Sequence, residues 1–262
     1  MKGYNIFRTI LISIIVISIG YVAFYYINAT ISQRKADKLS DIKTGDFTIR
    51  EEEPKVFAQK VDVVSLEPEV LDKYKTLYEK NKNLIGWLKI ADTNIDYPVM
   101  QSLNGKGDYY LNHDFDGNED RNGTLFMDNA CDAMLPSDNL IIYGHNMKSG
   151  KMFGELTKYK SKDFYLAHSK IAFDTIYKRG TYEVMYVFNT HIYSEGEITF
   201  KYYQFIEPNS EEEFDSAMRS MASMSMYDTG VEAKWGDDLI TLSTCDYDES
   251  DGRFVVVAKK VS

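Results

Sequence analysis

Residues 237–245 read DDLITLSTC, and after the acidic connection DYDESD at 246–251 the chain resumes at 252–261 as GRFVVVAKKV. Both runs are short, rich in β-branched residues and bounded by Asp and Gly, which marks them as strands. The same texture recurs upstream in LIGWLKI (84–90), IDYPVMQ (95–101), GTLFMD (123–128), NLIIYGH (139–145), KIAFDTIY (170–177) and TYEVMYVFNTHI (181–192). So many strands without regular helices between them predict a mainly β protein, closed or nearly closed, and argue against a βαβ sheet.

One interruption has a helical period. In SEEEFDSAMRSMASMSMY (210–227), Ser210 is a plausible cap ahead of an acidic first turn. Phe214, Met218, Met221 and Met224 recur at spacings of four, three and three, which is a stripe along one helical face. The methionines read as packing against the sheet and not as a sulfur ligand set. Upstream, PEVLDKYKTLYEK (68–80) spaces Val70, Leu71, Tyr74, Leu77 and Tyr78 for a helix that packs on the domain.

The amino terminus has another character. TILISIIVISIGYVAFYYI (9–27) holds nineteen residues without a charge, close to the roughly 20 that a helix needs to cross a ~30 Å hydrocarbon layer. The run exceeds a cleavable signal's apolar core and lacks a clear A-x-A site, so it reads as an uncleaved anchor. Lys2 and Arg8 precede it and Arg34, Lys35 and Lys38 follow, so flanking charge does not set the orientation. Polar residues from 28 to about 60, with EEEP at 51–54, lead away from the membrane as helix or linker.

The net charge of −10, with no dense basic run, argues against a nucleic-acid partner. The two cysteines, Cys131 and Cys245, form no CxxC pair, and the histidines show no HExxH spacing, so no metal site is expected. The carboxylates of HDFDGNED (113–120) match an ion-binding loop incompletely and read as a solvated turn.

Three side chains have positions suited to chemistry. Cys245 ends a hydrophobic strand beside a polar loop, where a thiol is fixed yet open to substrate; a buried, inert cysteine is the competing reading. His145 ends NLIIYGH in the same way, after Gly144, and an imidazole there can pair with a thiolate and move a proton. Arg253 opens the last strand. It either reaches a shared cleft as an oxyanion donor or pairs on the surface with Asp251 or Glu249. His113, His168 and His191 suit exposed or packed roles.

Taken together, TLSTC (241–245), Arg253 on the next strand and YGHNM (143–147) resemble the sortases, and within them class B. IDYPVMQ, YYLNHDF (109–115) and GTLFMD support the likeness, which spans about residues 70–261. The resemblance implies a β-barrel of about eight strands, with amino-terminal helices and a long helix between the sixth and seventh strands. It implies a cysteine transpeptidase that needs no cofactor, cleaves a carboxyl-terminal sorting signal after Thr and joins the Thr carboxyl to a peptidoglycan amine. Its partners are secreted proteins bearing such a signal and a wall or lipid-linked amine. Cys245 matches the nucleophile, His145 the acid/base and Arg253 the substrate-holding arginine; Ser243 and Leu111 match groove residues. The implied layout is a cytoplasmic 1–8, a membrane anchor at 9–27, a linker and helical region at 28–69, and an extracellular catalytic barrel at 70–262. A membrane-tethered peptide-binding or assembly module is the alternative from another class.

Overall fold

The computed structural model describes residues 2–43, 68–102, 107–246 and 251–262. Its strands are β1 (Leu84–Lys89), β2 (Asp96–Met100), β3 (Leu125–Met127), β4 (Asn139–Tyr143), β5 (Lys170–Thr175), β6 (Thr181–His191), β7 (Leu239–Cys245) and β8 (Gly252–Lys260). They close into a barrel in the order β1-β2-β3-β4-β7-β8-β6-β5, with β5 pairing back to β1. Each strand falls in one of the expected runs. All pairings are antiparallel except β2 with β3 and β4 with β7.

The unbroken apolar run in β8 follows from burial on both faces, where strict alternation has no use. Phe254, Val256 and Ala258 point into the barrel core with Ile240 and Leu242 of β7. Val255 and Val257 point outward with Leu239, Met185 and Phe188. After the short α3 (Lys162–Ala167) ahead of β5, helix α4 (Glu211–Met224), between β6 and β7, lies over that outer face, contributing Phe214, Ala217, Met218 and Met221. Ser210 caps it, its side chain accepting from the Glu213 N–H at 3.2 Å. A third cluster packs Tyr74 and Leu77 of helix α2 (Asp72–Lys80) on Leu84, Trp87 and Met100.

Helix α1 runs unbroken from Lys2 to Ile42. By length and composition it can cross a membrane, and its apolar side chains from Leu11 to Ile27 are largely exposed. Beyond them it docks on the barrel. Ala29 and Ala36 are buried, Tyr97 hydrogen-bonds Gln33, and Lys43 lies 4.2 Å over the Trp87 ring. The chain after residue 28 thus continues as helix, one of the two forms the sequence suggests, and packs on the domain. The EEEP stretch lies outside the described residues.

The same docking corrects the reading of residues 113–120. Asp114 is 6% exposed and accepts from Lys35 Nζ of α1 at 2.6 Å. Ser32 of α1 donates to Asp120. These carboxylates hold α1 and are not simply solvated. The period of the loop sequence could not show this, because the partners lie about eighty to ninety residues away.

Candidate active site

The parallel pairing of β4 with β7 brings together residues one hundred apart. Tyr143 is in register with Ser243, so the two chains leave the barrel side by side, one toward His145 and the other toward Cys245. Adjacent strands lie about 4.8 Å apart, which sets the scale of that approach. In the antiparallel hairpin of β7 and β8, Cys245 faces Arg253.

Cross-links fix the strand ends. Gly144 N donates to the Ser243 carbonyl at 3.2 Å, and Thr244 Oγ1 to the Gly144 carbonyl at 2.7 Å. Asn146 Nδ2 donates to the Cys245 carbonyl at 2.8 Å. Gly144 is required by close approach, since a Cβ there would collide with Leu125 Cδ2 and the Phe153 ring.

His145 Nε2 lies 2.8 Å from the Leu111 carbonyl. A carbonyl only accepts, so Nε2 carries the proton, and in the neutral ring Nδ1 holds the lone pair. Leu111 ends a 3-10 turn, Tyr109–Leu111, that continues into the loop docked on α1. Gly123, at φ +61°, packs beneath it where a side chain would strike the Leu111 and Tyr110 carbonyls.

Arg253 Nη1 donates to the Gly252 carbonyl at 2.9 Å and to the Asp251 carbonyl at 3.3 Å. Its link to Asp251 is thus to main chain and not the carboxylate pair weighed above; Glu249 lies outside the described residues. Ser243 is buried and its hydroxyl shares a 2.7 Å hydrogen bond with Tyr202. Burial pushes the Tyr202 phenol up to about 12, against the opposing pull of Ser243 and Arg253, so it stays protonated at neutral pH.

A cleft of about 440 Å³ is lined by Leu111, His145, Ser243, Cys245 and Arg253, with Tyr143 and Tyr203 among its walls. All five residues singled out in the sequence meet there. Asn146, Thr244 and Tyr202 were not singled out. Asn146 lies inside YGHNM, but its partner is a main-chain carbonyl that no residue pattern encodes.

The remaining candidates fall elsewhere. Cys131, in the polar stretch DNACDAM (128–134), is 4% exposed. Its Sγ accepts from Ile141 N at 3.4 Å, and burial pushes the thiol up to about 12. His113 stacks on Tyr109 at 3.8 Å and His168 on Phe164 at 4.0 Å, which are packed roles.

Comparison with known proteins agrees with this geometry. The Sortase domain model matches residues 88–261. Sortase B of Listeria monocytogenes is 35% identical over 217 residues, covering 82% of this chain and 85% of the relative. Sortase B of Bacillus anthracis in complex with AAEK1 superposes with a TM-score of 0.72 at 30% identity, covering 90% of this chain and 99% of that one. A Staphylococcus aureus sortase B–substrate complex gives 0.66 at 29% identity, covering 74% and 86%.

Proposed function

The chain belongs to the sortase family and is a class B, sortase-type cysteine transpeptidase; from that premise we propose that Cys245, His145 and Arg253 carry its reaction. The observation that carries this reading is the convergence of strand ends: β4 and β7 leave the barrel in register, and Arg253 faces Cys245 across the hairpin.

In the proposed cycle the Cys245 thiolate attacks the carbonyl of a Thr in a carboxyl-terminal sorting signal. The oxyanion of the tetrahedral intermediate draws on the Arg253 guanidinium and on backbone donors. His145 protonates the departing amine, leaving a Thr thioester on Cys245. An amine of the cell wall or its precursor then attacks, giving a proton to His145 and releasing the thiolate. Leu111 and Ser243 line the groove that takes the peptide. None of these steps calls for a metal or an organic cofactor.

The layout proposed with it places 1–8 in the cytoplasm, 9–27 in the membrane, 28–69 as a connecting region and 70–262 outside as the catalytic barrel. The exposed apolar surface of α1 ahead of Asn28 supports an anchor.

The test is turnover of a varied pool of Thr-containing sorting peptides with a soluble amine. The wild type should yield Thr-to-amine product, and Cys245→Ala should yield none while keeping the wild-type melting curve. Product formation by Cys245→Ala would contradict the assignment.

A further inference from the structure

His145 lines two clefts. The first holds Cys245 and Arg253. The second, about 510 Å³, lies between α1 and the barrel and is walled by Tyr21, Phe24, Tyr25 and Ile31 on one side and by residues 119–122 on the other. His145 is the one described residue common to both linings. The second volume lies within the ~300–1,000 Å³ typical of small-ligand clefts.

Resting on the function proposed above, we infer that this second cleft admits the amine acceptor to His145. A two-step transfer through a covalent intermediate has a steric difficulty, because the acyl peptide still fills the thiol cleft when the acceptor must arrive. A separate approach that ends on the same imidazole removes the conflict. It also serves the histidine's double duty, which is to protonate one amine and deprotonate another.

The lining suits an amine-bearing peptide. Glu119 is exposed and Asp120 lies beside it, so the mouth can draw in an ammonium. Of the two cations at the rim, Lys35 is engaged by Asp114, which leaves Arg121 for the acceptor's carbonyl or carboxylate groups. Tyr21, Phe24 and Tyr25 close the cleft at the membrane interface, where such rings belong, and Asn28 and Ile31 give the wall beyond the anchor against which a peptide branch can lie.

The step balances. The ammonium first loses one proton to solvent. The neutral nitrogen attacks the thioester carbonyl, a C–N bond forms and the C–S bond breaks. The second proton passes to His145 and the electron pair stays on Cys245 Sγ, which restores the thiolate and imidazolium that began the cycle.

The test uses the full chain in detergent micelles with a cleavable sorting peptide and triglycine as acceptor. The readout is the ratio of triglycine adduct to hydrolysed peptide. Glu119→Lys reverses the charge at the mouth, and Ile31→Trp narrows the cleft from the α1 side. Each should lower the ratio roughly five-fold or more at subsaturating triglycine. A ratio equal to that of the wild type in both variants would overturn the inference, as would a fall in both products that keeps the ratio. Absence of any cleavage by the wild type would instead overturn the transpeptidase reading, so the two failures are distinct.

Discussion

Asn146 holds the main-chain carbonyl of Cys245 at 2.8 Å, so the residue after the histidine ties down the strand end that carries the thiol. In the proposed cycle it is a positioning residue, since it touches no reacting atom. Asn146→Ala should lower kcat roughly five- to ten-fold, the scale of about 1 kcal/mol for one hydrogen bond, with KM changed less. Asn146→Asp should fall further, because a carboxylate would face a carbonyl with no proton between them. Steady-state kinetics on a cleaved sorting peptide reads this split, and equal kcat in all three proteins would contradict it.

The two cysteines should differ in reactivity. Cys131 is buried with its thiol held up near 12, whereas Cys245 is partly exposed on the cleft. At pH 8 iodoacetamide should label Cys245 alone, and Cys131 only after unfolding. The same shift makes stability depend on pH. Below the ordinary thiol value of 9.0 both states keep the proton; between there and about 12 only the unfolded state loses it. Stability therefore falls with rising pH in that window. Raising the pH from 8 to 10 should cost the wild type roughly 1 kcal/mol more than Cys131→Ala in urea unfolding.

Lys73 of α2 and Asp174 of β5 form a buried ion pair, with side chains 5% and 1% exposed. Asp174 also accepts from the Tyr74 hydroxyl at 3.0 Å and from Gly180 N at 3.2 Å. Lys73→Met leaves a carboxylate buried without its cation and should lower stability by about 3–5 kcal/mol. Denaturant unfolding checks this, and a loss under 1 kcal/mol would show the pair to be dispensable.

The docking of α1 on Asp114 should be asymmetric. Lys35 is half exposed, so Lys35→Ala should cost less than about 1 kcal/mol. Asp114 also accepts from Asp116 N at 3.1 Å and Asn118 N at 2.9 Å, so Asp114→Ala should cost about 1–3 kcal/mol. Burial pushes the Asp114 carboxyl up, but Lys35 and Asn118 together outweigh it and hold it below the ordinary 3.8. This contribution is thus complete above that value and is lost as pH falls through the lower folded one. Hydrogen exchange in residues 32–43 should stay constant from pH 5 to 8, after correction for intrinsic rates, and rise only in acid.

Strands and α4 were legible because each obeys a local rule: β-branched runs cut by Gly and Asp, and Met at helical spacing behind a Ser cap. Cys245 and His145 were legible as strand ends, but their meeting depends on the parallel pairing of β4 with β7, a relation across one hundred residues. Likewise, Asp114 and Asp120 read as loop carboxylates because their partners, Lys35 and Ser32, lie far away in a segment that reads locally as polar helix or linker. The burial of Cys131 escaped the sequence for a related reason. Its neighbours in sequence are polar, yet the turn folds its sulfur beneath Ile141. What escaped the sequence in each case was a contact between distant segments, not the character of a segment.

The thioester on Cys245 is read most directly by intact and peptide-level mass spectrometry of the full chain after brief mixing with the sorting-peptide pool and no amine. An acyl adduct is expected, confined to the Cys245 peptide, ending in Thr and discharged when amine is added. An adduct on another residue, or a cleaved peptide with Cys245 unmodified at every time point and in acid-quenched samples, would contradict it.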